Sequence, residues 1–255
     1  MKLCLDVGNS QLCGGVFKDN NLLFQFRYDS KQINSSDQFG IFLRTVFREN
    51  NHNYAQLSKI GIASVVPSVD YTVRAACIKY LNISPIFLQS HLNMNISIKT
   101  HNSQEVGSDL IAGAIAACSL YPNKDIIIFD LGTATTASYI SHKHEYLGVS
   151  ITPGCRLMAT TLQNDTAKLF GVDILIPEMA IGKNTKLSIQ SGIYYAQLGF
   201  MRQIIIQTIA EYSLSTTPII IGTGGFAHLF ASQNIFHYII SELVLLGIKN
   251  MIEQN

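Results

Sequence analysis

The string LCLDVGNS at residues 3–10 returns in nearly the same form as IIFDLGTA at residues 127–134. In each string, an apolar run typical of a buried strand ends in Asp-x-Gly and is followed by small hydroxyl or amide residues. The two aspartates, Asp6 and Asp130, lie about half of the 255-residue chain apart, and a second β-rich run follows each turn. This spacing and context predict a duplicated domain.

An Asp-x-Gly turn after a buried strand suits phosphate and cation binding. The glycine lets the backbone approach a ligand closely, so that N–H groups can point at phosphate oxygens. The aspartate supplies a short carboxylate for a cation beside those phosphates. A single copy also fits an ordinary hairpin turn, which favours Asp, Gly and Asn. Two copies in matching context favour a cleft for a nucleotide polyphosphate.

A third turn follows the apolar run PIIIGTGG at residues 218–225, and a helix is predicted from about Phe226. A flat glycine backbone admits an adenosine, and a helix N-terminus favours anions. Glycines also serve tight turns between strands and helices, so this stretch alone leaves both interpretations open.

Composition limits the class of protein. A chain of 255 residues that is 47% hydrophobic and 14% charged can bury the core of one large or two ordinary domains. The net charge of +1, without a Lys/Arg cluster, argues against nucleic acid or an acidic membrane as the main partner. The apolar stretches fall short of the roughly 20 residues of a membrane span, and no signal peptide is apparent. Five scattered cysteines without a C-x-x-C pair indicate free thiols in a reducing compartment, and we expect a cytoplasmic protein.

Hydrophobic periodicity outlines two similar halves, which we place at residues 1–122 and 123–255. Each half begins with a β-meander and continues with helices and a further buried strand. The segment between residues 89 and 105 lacks helical periodicity and is predicted to lie on the surface. The main helices are predicted at residues 36–50, 69–81, 106–120 and 185–212 and from residue 241 onward.

Five segments, in order, resemble the motifs of the type III pantothenate kinases, members of the acetate and sugar kinase/Hsp70/actin superfamily. They are DVGNS at 6–10, GSD at 107–109, DLGTATT at 130–136, IGKNT at 181–185 with QSG at 190–192, and TGG at 223–225. The resemblance implies an α/β fold of duplicated ribonuclease H-like (actin-like ATPase) domains, with mixed β-sheets flanked by helices and an active cleft between them.

The resemblance also implies transfer of the ATP γ-phosphoryl group to pantothenate, the first step of coenzyme A biosynthesis, in a homodimer. Asp109 would be the catalytic base, Asp6 would help to hold Mg²⁺, and Asp130 would bind a monovalent cation, K⁺ or NH4⁺. The residues implied in ATP and phosphate binding are Asp6, Val7, Gly8, Asn9, Ser10, Gln11, Leu12, Cys13, Thr133 and Gly224. Those implied in substrate binding are Gly107, Ser108, Asp109, Leu110 and Thr185.

The sequence departs from the family pattern beside Asp109. Leu110 stands where the family usually has an arginine that contacts the substrate. Loss of one charge-assisted hydrogen bond costs about 1.5–3 kcal/mol, roughly ten- to a hundred-fold in transition-state binding. Asp109 itself also suits the first turn of a helix as a structural residue. The alternatives are therefore a catalytically impaired or acceptor-changed relative, a non-enzymatic accessory or regulatory protein of the same fold, and another small-molecule kinase or ATPase of the superfamily.

Overall fold

A computed structural model describes residues 1–89 and 94–255; residues 90–93, part of the predicted surface segment, lie outside the described residues. The strands are β1 Lys2–Val7, β2 Gln11–Lys18, β3 Asn21–Asp29, β4 Lys59–Ser64, β5 Ile86–Phe87, β6 Ser97–Ile98, β7 Ile126–Leu131, β8 Ala134–Ile140, β9 Glu145–Pro153, β10 Ile219–Thr223 and β11 Tyr238–Ile239. The α-helices are α1 Ser36–Glu49, α2 Pro67–Leu81, α3 Ser108–Leu120, α4 Cys155–Asn164, α5 Thr185–Glu211 and α6 Leu243–Gln254.

The chain divides into two compact units. The first contains Met1–Leu120 together with Glu242–Asn255, and the second contains Tyr121–Ser241. The sequence analysis instead assigned all of residues 123–255 to one domain. The difference is α6, which packs on α3 with its Gly247 directly against the Ala112 carbonyl group. The burial of α6 against α3 assigns this helix to the first unit. Such packing between distant segments cannot be read from the local sequence pattern.

The first unit is built on a mixed sheet with the strand order β3-β2-β1-β4-β5. The pairs β1–β2 and β2–β3 are antiparallel, whereas β1–β4 and β4–β5 are parallel. In this register, Asp6 of β1 lies opposite Cys13 of β2, and Cys13 lies opposite Arg27 of β3. Three side chains from three strands therefore form one row on one face.

Alternation along β1 separates the two faces of this sheet. Leu3, Leu5 and Val7 belong to a core that contains residues of α1 and α2, such as Phe39 and Val73. Cys4 belongs to the opposite core, which contains residues of α3 and α6. Because Asp6 follows Cys4 by two positions, it lies on the α3/α6 face.

The second unit repeats this plan. Its strands run in the order β11-β10-β7-β8-β9, with antiparallel pairs β7–β8 and β8–β9 and parallel pairs β7–β10 and β10–β11. The first three strands of each unit form a meander, and the fourth pairs in parallel with the first. The core packs strand residues against α5, for example Phe129 near Met201. The predicted duplication is confirmed at the level of strand order and direction.

Several smaller predictions changed. The helix predicted from Phe226 is a 3₁₀-helix, Ala227–Gln233. The short β11 was not predicted. Among the described residues, no helix combines the length and apolar character needed to cross a membrane.

Candidate active site

Residues 8–11 form the turn of the β1–β2 hairpin, which we call the first turn. The Gly8 amide donates to the Gln11 carbonyl oxygen over 3.2 Å, and a Cβ at Gly8 would lie 3.1 Å from that same oxygen. Ser30 holds the turn from outside, since its Oγ donates to the Gly8 carbonyl at 2.6 Å and its amide to the Ser10 carbonyl at 3.3 Å. Residues 9–11 are exposed, so the tip of the turn faces solvent.

The corresponding turn of the second unit lies between β7 and β8. Here the Gly132 amide donates to the Ala134 carbonyl oxygen at 3.0 Å, and the Gly154 amide donates to the Thr133 carbonyl at 3.0 Å. A Cβ at Gly154 would lie 2.5 Å from the Thr133 oxygen, so only glycine permits this close approach. The Thr133 side chain is exposed at the end of the turn.

The glycine turn after β10 closes around the end of β7. Thr223 lies beside Asp130 in the parallel register, and the Phe226 amide donates to the Leu131 carbonyl oxygen at 3.1 Å. Gly224 has φ = +84°, and a Cβ there would lie 2.7 Å from the Leu131 nitrogen. Asp130 and Gly224, which the sequence placed in different motifs, are thus in contact.

Asp109 occupies the first turn of α3. Its Oδ1 accepts a hydrogen bond from the Leu110 amide at 2.8 Å, and a Cβ at Gly107 would lie 2.5 Å from that Oδ1. Burial raises the pKa of the Asp109 carboxyl above its usual value, and the bond from the Leu110 amide partly offsets this shift. Gly107 therefore provides the space in which the carboxylate sits.

Ser108 fixes the beginning of α3 to the sheet. Its Oγ donates to the Ser64 carbonyl oxygen at 2.8 Å, and Ser64, at the end of β4, lies beside Val7 in the parallel register. Since α3 covers the same face as Asp6, the first turn, Asp6 and Asp109 share one edge and one face of the first unit. These predicted residues therefore lie at the same end of one sheet face.

Thr185 belongs to the second unit, where it begins α5 and lines a cavity of about 720 Å³. The preceding segment is fastened to α5 by side chains of the fourth motif and of Ser188, which lies between its two parts. Gln190 Nε2 donates to the Asp173 carbonyl at 2.8 Å, Ser191 Oγ to the Ala180 carbonyl at 2.5 Å, and Ser188 Oγ to the Asn184 carbonyl at 2.8 Å. The motif thus has a clear structural role within its own unit.

A sequence model described as type III pantothenate kinase matches residues 2–207. A type III pantothenate kinase of Legionella pneumophila is 47% identical over 249 residues, which cover 98% of this chain and 97% of the relative. The chain belongs to the type III pantothenate kinase family. A type III pantothenate kinase of Francisella tularensis is 39% identical, and the alignment covers both chains completely.

Solved structures agree on the fold. A Campylobacter jejuni protein assigned to the Baf family of transcriptional activators has a TM-score of 0.60 at 20% identity, over 99% of this chain and 98% of that one. A Sinorhizobium meliloti protein described as a 2-dehydro-3-deoxygalactonokinase has a TM-score of 0.56 at 11% identity, over 99% of this chain and 98% of that one. The predicted actin-like fold with two mixed sheets and flanking helices is confirmed. At such low sequence identity, the structural similarity supports only the assignment of the fold.

The structure also places at the first turn a positively charged side chain, Arg27, that the sequence analysis did not identify. Arg27 Nη1 donates to Gln11 Oε1 at 3.3 Å, which brings a guanidinium group to the first turn of this type III pantothenate kinase family member. Arg27 belongs to none of the recognised motifs. The only sequence signal is its alternation with Phe26 and Tyr28 along β3, and its position opposite Cys13 depends on the strand register.

The donor groups suit a cation that is shared with a ligand. Among the described residues, no three His, Cys, Asp or Glu side chains cluster as a complete metal site. Single carboxylates, Asp6 and Asp130, instead stand at or near the ends of β1 and β7. Mg²⁺ is commonly held by one or two carboxylates together with substrate phosphates, so Asp6 fits such a role.

Proposed function

We propose that this chain transfers the γ-phosphoryl group of ATP to the primary hydroxyl of pantothenate, forming 4'-phosphopantothenate and ADP, the first step of coenzyme A biosynthesis. The observation that carries the proposal is the placement of Asp109 at the edge and face that also hold Asp6 and the first turn, in a chain of this family. A base and a phosphate-binding turn on one rigid unit suit phosphoryl transfer, in which positioning dominates.

In the proposed nucleotide site, the exposed tip of the first turn binds phosphate oxygens. The residues assigned to ATP binding are Asp6, Val7, Gly8, Asn9, Ser10, Gln11, Leu12, Cys13, Thr133 and Gly224. The anchoring of the turn by Ser30 supports this assignment, because a fixed backbone loses little entropy when it binds a ligand. The contact between Gly224 and Asp130 supports a compact site in the second unit.

Asp109 is the proposed base. Its carboxylate accepts the proton of the acceptor hydroxyl as that oxygen bonds to the γ-phosphorus, while the bond from phosphorus to the β,γ-bridging oxygen breaks and ADP leaves. Burial raises the pKa of the Asp109 carboxyl, which makes it a stronger base than a solvated aspartate. Because the transition state is loose, orientation of the hydroxyl is a large part of this role.

Two cations complete the proposal. Asp6 would help to hold Mg²⁺, which would neutralise charge on the phosphates. A monovalent cation, K⁺ or NH4⁺, is assigned to Asp130. Thr136 lies directly opposite Asp130, and its buried Oγ1 has no hydrogen-bond partner among the described residues. An oxygen without a partner beside a carboxylate supports a cation at this place.

Acceptor binding is assigned to Gly107, Ser108, Asp109 and Leu110 of the first unit and to Thr185 of the second. Leu110 favours a second candidate, a kinase whose acceptor differs from pantothenate, because its half-buried apolar side chain has no donor for a carboxylate or hydroxyl. The two candidates share the nucleotide site and the base, and they differ only in the acceptor.

We also propose a homodimer in the cytoplasm. Support for the dimer comes from large apolar side chains exposed between residues 151 and 195, which are Ile151, Leu157, Phe170, Leu175, Ile176, Ile181 and Tyr195. Support for the location comes from five free cysteines, which persist as thiols in a reducing compartment.

The test is formation of phosphopantothenate by the purified protein with Mg²⁺ and saturating ATP, in K⁺ and in Na⁺. We expect product that requires K⁺ and is lost in Asp109→Asn. Absence of product from a protein that still binds ATP would overturn the assignment of pantothenate. ATP-dependent phosphorylation of another alcohol would then establish the second candidate.

A further inference from the structure

Arg27 stands at the end of a row of three side chains across β1, β2 and β3. Asp6 pairs with Cys13 and Cys13 pairs with Arg27, so the carboxylate, the thiol and the guanidinium project from the same face of the sheet. The neighbouring side chains Phe26 and Tyr28 pack with the core on the opposite face. Arg27 is exposed, on the face that also carries Asp6.

The first turn holds the guanidinium in place. Gln11, within that turn, accepts from Arg27 Nη1 at 3.3 Å. Among the described residues, Arg27 forms no ion pair, so no carboxylate among them neutralises its charge. Burial and Asp6 raise the pKa of the Cys13 thiol and Arg27 lowers it, in keeping with both charges lying close to this residue.

We infer that Arg27 is a phosphate-binding residue, oriented by Gln11, whose guanidinium contacts the polyphosphate of the nucleotide at the first turn. This deepens the proposed function and rests on it for the identity of the ligand. The first turn is flanked by the carboxylates of Asp6 and Asp29, which repel phosphates unless a cation is present. A guanidinium fork matches phosphate geometry and stays charged at every relevant pH.

The test compares Arg27→Gln and Arg27→Lys with Arg48→Gln as the matched control. Arg48 is an exposed arginine of α1 that pairs with its neighbour Glu49. Binding of ATP and of adenosine to each purified full-length variant is measured by calorimetry in the presence of Mg²⁺. We expect Arg27→Gln to weaken ATP binding about ten- to a hundred-fold and to leave adenosine binding unchanged. Arg27→Lys should fall between, and Arg48→Gln should match the parent protein.

Equal ATP binding by Arg27→Gln and the parent protein would overturn the inference. So would an equal loss of ATP and adenosine binding, which would indicate a structural role. A double-mutant cycle with Gln11→Ala provides a second measure, since an oriented pair should give non-additive losses in ATP binding; strictly additive losses would remove Gln11 from the proposal. If the parent protein binds ATP through Arg27 yet forms no phosphopantothenate, the proposed function fails while this inference stands.

Discussion

Gly224 and Asp130 touch because Gly224 lacks a side chain: a Cβ at Gly224 would overlap the Asp130 Oδ1 and lie 2.7 Å from the Leu131 nitrogen. Gly224 also has φ = +84°, a backbone conformation that alanine adopts only with strain. The end of β7 and the turn after β10 therefore form one packed group. This group holds two of the residues that we assign to nucleotide and cation binding.

We expect Gly224→Ala to lower the free energy of unfolding by about 1–3 kcal/mol and to weaken ATP binding, because Asp130 must move. The matched control is Gly225→Ala, where a Cβ would meet no atom within 4 Å. Urea unfolding and calorimetry of both variants measure the two effects. Similar behaviour of the two variants would contradict the importance of the contact.

Asp109→Asn separates catalysis from stability. Removal of a general base lowers kcat by about 10²- to 10⁴-fold. Burial raises the pKa of Asp109 in the folded protein, so the ionised group lowers stability above the pKa of the unfolded chain, near the ordinary value of 3.8. The neutral asparagine removes this cost. We therefore expect a thermal midpoint at pH 7 that is equal to or above that of the parent protein.

The same pKa shift affects the pH profile of the parent protein. The acid limb of kcat should lie above pH 3.8, because the carboxyl must lose its proton to act as the base. If Asp109→Asn instead loses both activity and thermal stability, Asp109 is mainly a structural residue of α3.

Gly247→Ala tests the packing of the C-terminal helix on α3. A Cβ at Gly247 would overlap the Ala112 carbonyl group and lie 2.9 Å from the Ala112 Cα. Overpacking of this kind costs roughly 1–3 kcal/mol, and we expect at least that loss in urea unfolding. Gly199→Ala in α5 is the control, because it meets no atom within 4 Å and should stabilise its helix by about 0.5–1 kcal/mol. Equal stability changes in the two variants would argue against close α3–α6 packing.

The parts of the fold that local patterns specify were predicted from the sequence. The two Asp-x-Gly hairpins follow from strand periodicity and turn chemistry, and the repeated strand order follows from the duplication. The unit to which α6 belongs was not predicted. It depends on the surface against which this helix packs and not on its position along the chain. Contacts such as those of Gly247 with Ala112 become visible only in three dimensions.

The candidate site shows the same division. Motif resemblance made Asp6, Asp109 and Asp130 candidate site residues by residue type and spacing. Arg27 was not identified, because its position on the same face as Asp6 depends on the register of three strands and its orientation on one side-chain hydrogen bond to Gln11. The positions of Gly107 and Gly224 beside carboxylates likewise depend on backbone geometry that a motif does not describe.

Leu110→Arg tests the identity of the acceptor. Leu110 follows Asp109 at the start of α3, and its amide donates to the Asp109 carboxylate, so a longer side chain here begins next to the proposed base. If pantothenate is the acceptor, an arginine should add a charge-assisted hydrogen bond and raise kcat/KM for pantothenate about ten- to a hundred-fold. ATP binding should not change. Leu110→Met, which is similar in size but has no charge, is the control and should not raise kcat/KM. An unchanged kcat/KM in Leu110→Arg, with normal ATP binding and folding, would favour an acceptor other than pantothenate.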